Sequence, residues 1–442
     1  MAKNTPLNKQ FLKFVWPSVL SMWVYSLYTM VDGIFVGHGV GPDAIAAVNV
    51  VMPFVNVIFS IGVVFATGAS TIISMSLGMG DTDGAHRLFS MMSCVVVAIG
   101  IFIAVVSLPN LPRLVKVLGA TPEIMDYSVD YLRIVVLFGV FLMFSYYLEI
   151  VVKTDGFPHL AIIGAVLSGL TNVVLDYLFI MRFGWGVKGA AIATGIAQVL
   201  GTLFYLKHFI RGNSHLRFTA FHVNWQALWR VCGIGFSAGI TEVSTGLVIL
   251  MFNKVVFKAV GESGLITYGV ISYVKQLVFM TVVGIGQGIQ PLISFYHGRR
   301  DDRAVNYLLY LGAATVSFVG LLSFASCMIF APAVVAAFFK KSSDVNSFTY
   351  TVNALRMFST SFLLVGYNVL LSSYFTAVAQ VKESIVVTIL RGIVAVCVFL
   401  LLMTALFGDK GIWYAELVSE TVTLLMGLSL LNKQIKVGEF QK

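Results

Sequence analysis

Between residues 44 and 77 the chain has no Asp, Glu, Lys, Arg or His. A run of that length exceeds the ~20 helical residues that cross the roughly 30 Å hydrocarbon core of a bilayer. Comparable runs, bounded by Gly, Pro or charge, lie at about 13–37, 44–77, 88–109, 128–152, 159–181, 187–207, 228–258, 264–296, 304–331, 347–376, 384–407 and 411–432, and predict twelve transmembrane helices. Their continuity does not suit the roughly 10-residue alternating strands of an outer-membrane barrel. Composition agrees: 58% of the 442 residues are hydrophobic and 11% charged, where a soluble domain has about 25% charged residues. A water-soluble enzyme is excluded, and the fold class is an all-α polytopic membrane protein.

Loop charges predict the topology. With the N-terminus in the cytoplasm, the inner segments hold sixteen Lys and Arg, among them Lys3, Lys9, Arg87, Arg211, Arg299, Arg300 and Lys442. The outer loops hold nine: Arg113, Lys116, Arg182, Lys188, Lys254, Lys258, Lys340, Lys341 and Lys410. The bias favours both termini inside, in a plasma or inner membrane. The net charge of +9 is spread over these short loops rather than gathered into a patch for nucleic acid. Cys94, Cys232, Cys327 and Cys397 lie scattered in apolar runs, with no spacing for a disulfide framework or a zinc site. The basic start runs on into apolar residues without a small-residue cleavage site, so the N-terminal segment is expected to be retained.

The two halves resemble each other. A shift of 220 residues lays Val40-Gly41 on Val260-Gly261, Gly68 on Gly288, Ile73-Ser74 on Ile293-Ser294, Gly78 on Gly298 and Asp81 on Asp301. With small drifts, Leu132-Arg133 meets Leu355-Arg356, and Gly186 to Ala190 meets Gly411 to Ala415. Six spans per half is an even number, so the repeat is parallel and its pseudo-two-fold axis runs along the membrane normal. The expected organisation is a six-helix lobe over 1–210, a cytoplasmic linker over 211–227 and a second lobe over 228–442. Basic and aromatic residues mix in 211–230, as in an interfacial amphipathic segment. Two lobes that rock about a shared cleft form a secondary transporter. No GxxxxGK[ST] loop is present to couple it to nucleotide hydrolysis.

Ionisable groups inside the runs each cost about 2.5–3.5 kcal/mol at mid-bilayer, so each needs a partner, a wet cavity or a task. Asp32 and Asp176 fall in the outer part of the first lobe. Asn172 precedes Asp176 by one helical turn, and Thr194 lies at a similar depth on the next helix. Two carboxylates with an amide and a hydroxyl suit either a sodium ion or a shared proton. The competing reading is a polar network that only pins helices together. Glu242 and Lys275 are expected to pair between adjacent helices, or else to line the cleft with Glu242 attracting cationic cargo. Arg391 and Glu420 are expected to form a structural pair, and Glu416 to lie close to the outer surface. Glu149 stands four residues before Lys153, the spacing of a solvated helical ion pair. Pro17, Pro53 and Pro291 each remove a backbone donor and are expected to kink their helices.

Three segments resemble the multidrug and toxic compound extrusion family: MVDGIFVGHGVGPDAIAAVNVVMPF (30–54), NVVLDYLFIMRFGWGVKGAAIAT (172–194) and GIGQGIQPLISFYHG (284–298). The resemblance implies an H+- or Na+-driven antiporter that exports lipophilic, often cationic compounds. On it, Asp32 and Asp176 match the family's coupling aspartates, Asn172 and Thr194 their polar partners, and Pro17 the kink-forming proline. Glu242 resembles an acid that some members use in the second lobe, where Lys275 and Gln287 join it as candidates for a substrate or cation site. Small-molecule cargo and membrane lipid are the expected partners, with no nucleic acid, no obligate protein partner and no cofactor beyond the transported ion. The alternative is a flippase for a lipid-linked precursor, which needs a basic-lined cavity. Lys275 and Arg391 are the deep cations available to it, and whether they face the cleft or pair with acids discriminates the two.

Overall fold

In the computed structural model, residues 6–212, 214–338 and 345–440 are described; Lys3, Lys340, Lys341 and Lys442 lie outside them. The described chain is helical nearly throughout. Its spans are α1 (Leu7–Gly39), α2 (Pro42–Met79), α3 (Thr82–Val117), α4 (Met125–Thr154), α5 (Pro158–Arg182), α6 (Gly186–Ile210), α7 (Trp225–Val260), α8 (Glu262–Gly298), α9 (Asp302–Ala336), α10 (Val345–Ala377), α11 (Val381–Phe407) and α12 (Asp409–Phe440). All the helices overlap the predicted runs. An even number of spans puts both ends of the chain on one side of the membrane, called here the terminal side.

The sequence repeat is a structural repeat at the helix ends. Asp81 caps α3 by accepting from the Gly84 amide at 2.8 Å, and Asp301 caps α9 by accepting from the Ala304 amide at 3.0 Å. Each short carboxylate satisfies a helical N–H that has no intrahelical partner. The residues just before them, Gly80 (φ 83°) and Arg300 (φ 57°), both take the left-handed conformation that ends the preceding helix.

One apolar core is built from α2 to α6, with Val51, Ile58, Met92, Leu132, Val136 and Ala190 at its centre. Two further clusters fill the second half. The cores do not divide at mid-chain. Phe11, Phe14, Val15 and Val19 of α1 pack with Val282, Ile285 and Ile289 of α8, while Val231 of α7 joins the first core. Glycines allow these crossings: a Cβ on Gly284 would meet Val19 Cα at 2.6 Å, and one on Gly288 would meet Val15 Cα at 2.7 Å. In the repeat-related contact, Gly68 and Gly235 bring α2 and α7 to backbone distance at Val231 and Val64.

The sharp break falls away from the prolines. Helices α1, α2 and α8 run on through Pro17, Pro53 and Pro291, whereas α10 bends by 40° between Ser359 and Phe362. There Ser359, Thr360 and Ser361 turn their hydroxyls back onto the carbonyls of Arg356, Met357 and Phe358 at 2.7, 2.7 and 2.8 Å. Side-chain donors thus take acceptors that the helical ladder would use. Around Pro17, α8 packs closely on Phe14, Val15, Ser18 and Val19 of α1, which continues as one helix from Leu7 to Gly39.

From Ser214 to Asn224 the inter-lobe segment has no regular secondary structure and forms a strap that ends where α7 begins. Buried Asp155, at the end of α4, accepts from the backbone amides of His215 and Leu216 at 2.9 and 3.0 Å and lies 2.7 Å from His208 Nε2. The Thr219 amide donates to Ser90 Oγ at 2.9 Å. These bonds fasten the strap across the terminal side of the first lobe.

Candidate functional site

Helices α1, α5 and α6 bring Asp32, Asp176, Asn172 and Thr194 together. Asp176 is fully buried where α5 passes from α-helix into a π-helical last turn, Tyr177–Arg182. A π segment inserts an extra residue into the turn and frequently accompanies functional positions. Asn172, one turn earlier, donates Nδ2–H to Thr194 Oγ1 at 3.2 Å. Asp32 and Asp176 lie within hydrogen-bond reach of each other. Yet no donor among the described residues meets Asp32 Oδ1, Asn172 Oδ1 or either oxygen of Asp176. Two acceptor-only carboxylates side by side repel each other when both are ionised. A proton shared between them, or a cation ligated by their oxygens, resolves both the repulsion and the missing donors. Tyr131 of α4 stands within electrostatic range of both acids. It gave no sign in the sequence, being one of 17 tyrosines.

One turn away along α1 and α6 the polar site meets a cavity of about 290 Å³ between the lobes. Tyr28, Thr29 and Gln198 line it, three or four residues from Asp32 and Thr194, so the same helices serve both places. Its other walls include Met22, Tyr25, Phe59, Tyr146, Glu149, Glu242, Met280 and Gln287. Aromatic faces attract cations and methionines adapt to differently shaped apolar groups. Glu242 projects from α7 with no ion pair and no hydrogen-bond partner among the described residues.

Two expectations about this region are corrected. Glu149 and Lys153 are not on a solvated face: Lys153 is 1% exposed, and its Nζ donates to Glu149 Oε1 at 3.0 Å and across the cleft to Gln287 Oε1 at 3.1 Å. Gln287 in turn donates to the Tyr146 hydroxyl at 3.1 Å. Lys275 does not pair with Glu242. It bonds Glu416 Oε1 at 2.6 Å and lies over the rings of Phe252 and Phe358. Glu416 is itself 4% exposed. The α8 face bearing Lys275 turns toward α12, and side-chain pairing across helices follows that rotation, which sequence spacing does not fix.

Arg391 Nε donates to Glu420 Oε1 at 3.1 Å, and Asn368 Nδ2 donates to Glu420 Oε2 at 2.6 Å. This cluster borders two smaller pockets of about 80 and 90 Å³ that share walls with the main cavity, Phe279 lining all three. Asn368 and Glu416 complete the charged cluster and were not singled out as its members from sequence.

Residues 17–178 match the family model MatE. Multidrug export protein MepA of Staphylococcus aureus (strain bovine RF122 / ET3-1) is 25% identical over 436 residues, covering 97% of this chain and 94% of that protein. Its counterpart in Staphylococcus haemolyticus (strain JCSC1435) is 24% identical over 434 residues, with the same coverage. The chain is thus similar to the MatE family over residues 17–178 and to the MepA proteins over nearly its whole length. Among solved structures, a MATE protein in complex with MaL6 superposes with a TM-score of 0.93 at 22% identity, covering 99% of both chains. A multidrug resistance MATE family transporter of the MOP superfamily in its outward-facing conformation gives 0.93 at 23% identity, covering 98% of this chain and 97% of that one. Both likenesses are to the twelve-helix fold.

The stretch that matches the MatE model ends two residues past Asp176, so it contains Asp32, Asn172 and Asp176. Thr194, the Glu242 wall and the charged cluster of the second half lie beyond it.

Proposed function

We propose that the protein exports lipophilic, often cationic compounds from the cytoplasm in exchange for an inward-moving H+ or Na+, by alternating access, with both termini cytoplasmic. The carrying observation is the Asp32–Asp176 pair, whose buried oxygens lack donors one turn from an aromatic- and Met-lined cavity. Cation uptake there neutralises charge, changes how α1, α5 and α6 pack, and reshapes a wall of the cavity that holds the cargo. The names of the MepA relatives support multidrug cargo. One charge moving down 100 mV supplies about 2.3 kcal/mol, enough for a roughly fifty-fold cargo gradient. Glu242 is free to meet a cationic group, while Lys275 and Arg391 are both held by acids, which supports drug export over pyrophosphate flipping.

The test is dye transport in inverted vesicles, with sodium and pH gradients imposed separately. Uptake driven by one gradient and abolished on its collapse is expected. Uptake indifferent to both overturns the coupling.

A further inference from the structure

A second cavity, of about 610 Å³, lies on the terminal side, walled by the ends of α2 and α3 and by the strap where it meets α7. It shares no lining residue with the three pockets of the cleft. Residues 44–77 of α2, 88–112 of α3 and 231–241 of α7 carry no charge, so the cavity stands where the charged ends of three helices give way to their apolar runs. That is the headgroup level of the terminal-side leaflet. Trp225 and Trp229, 67% and 73% exposed, stand there at the start of α7, as interfacial tryptophans do.

Arg87 and His222 line the cavity, both exposed, and neither has an ion-pair partner among the described residues. Ser76 lines it from α2 and is only 8% exposed, yet its hydroxyl has no hydrogen-bond partner among the described residues. An O–H so placed is available to an acceptor seated in the cavity. Ile72, Leu88 and Met91 add apolar wall, and no carboxylate lines the space to meet a choline or an amine. The Asn224 amide donates to Met91 Sδ at 3.3 Å, which holds the strap to α3 along one side. The second half is built differently at the equivalent place. The shift of 220 residues carries Arg87 to Tyr307 and Ser76 to Tyr296, a bulky side chain whose hydroxyl donates to Gln10 Oε1 at 3.1 Å.

A guanidinium, two further donors and an adjoining apolar wall at headgroup depth match a phosphate diester that carries acyl chains. We propose that this cavity holds the headgroup of one anionic phospholipid of the terminal-side leaflet, its phosphate met by Arg87, Ser76 and His222 and its chains lying over Ile72, Met91 and Trp225. No residue of the cleft takes part, so the site stands apart from the export reading.

The purified full chain in detergent, titrated with dioleoylphosphatidylglycerol or dioleoylphosphatidylcholine and read by native mass spectrometry, tests it. Wild type is expected to retain one phosphatidylglycerol about fivefold or more tightly than phosphatidylcholine. Arg87→Gln should weaken phosphatidylglycerol about tenfold, the size of one charge-assisted hydrogen bond, and phosphatidylcholine less than about twofold. Ser76→Tyr puts the repeat's own side chain into the cavity and should abolish the preference with both basic residues in place. Arg303→Gln, at an exposed terminal-side arginine outside the cavity, should change neither lipid. No preference in wild type, or equal losses in Arg87→Gln and Arg303→Gln, overturns the site, because general surface charge then holds the lipid. Loss of bound phosphatidylglycerol to glycerol 3-phosphate at a lower concentration than the lipid overturns it too, assigning the place to a soluble phosphate. If gel filtration shows that Ser76→Tyr does not fold, the comparison of Arg87→Gln with Arg303→Gln decides alone.

Discussion

Gly78 and Gly298 occupy equivalent positions 220 residues apart, and each lies against the other's helix: a Cβ on Gly78 would run into the Phe295 carbonyl, and one on Gly298 into that of Met75. Phe295 and Met75 are themselves related by the same shift. The terminal-side ends of α2 and α8 therefore cross at backbone distance on the pseudo-two-fold axis, below the cavity, and close the space between the lobes there. Gly298→Val should force the two helices apart. A cysteine at Gln290, which now donates to Thr71 Oγ1 at 2.9 Å and is 8% exposed, should then react several-fold faster with a membrane-impermeant maleimide added from the terminal side. Unchanged labelling would show that the crossing does not seal this route.

Asp32 and Asp176 share one site, so their substitutions should not add. Asp32→Asn and Asp176→Asn are each expected to reduce gradient-driven efflux about tenfold or more, and the double variant to be no worse than the more damaged single. Expression must be matched by immunoblot. Independent, multiplicative losses would mean that the two acids do not take up one cation together.

The Lys275–Glu416 pair should respond asymmetrically to single and double changes. Glu416→Gln leaves a mostly buried ammonium without its acid, a loss of about 3–5 kcal/mol for pairs of this kind. Replacing both by apolar residues, Lys275→Met with Glu416→Leu, removes the charges together and should recover most of the lost thermal stability. Thermal unfolding in detergent, followed by tryptophan fluorescence, measures both. A double variant less stable than Glu416→Gln would contradict the burial argument.

Asp155 anchors the strap through two backbone N–H groups, those of His215 and Leu216, and its other oxygen meets His208 of α6. Hydrogen bonds to a charged group are worth about 1.5–3 kcal/mol each. Asp155→Ala should free the segment while leaving the transmembrane helices in place. Trypsin should then cut after the exposed Arg211 or Arg217 several-fold faster than in wild type. Equal cleavage rates would mean that the strap is held by its other contacts.

Much of this molecule is written in one dimension. Spans are legible because a helix that crosses lipid must satisfy its own backbone and show apolar side chains over about 20 residues, whatever it packs against. Asp32, Asn172, Asp176 and Thr194 are legible as one group because depth in the membrane follows from counting residues along each helix. The repeat is legible too, since Asp81 and Asp301 cap helices and Gly78 and Gly298 face backbone for local reasons that recur in both halves.

Rotation and partner choice were left to the tertiary structure. Depth alone allows Lys275 to meet Glu242, but the turn of α8 about its axis sends it to Glu416. The same residue count that makes Glu149 and Lys153 a pair does not say that the pair faces Gln287 inside the cleft. Nor does it say that α10 breaks at three consecutive hydroxyl residues while the helical assignment of α1 continues through Pro17, because competing hydrogen bonds and neighbouring backbones decide which weak point gives way. Sequence set which charges enter the membrane and how deep, because each helix pays its own solvation cost; only packing between helices set which charges meet, because that depends on the angular position of every span at once.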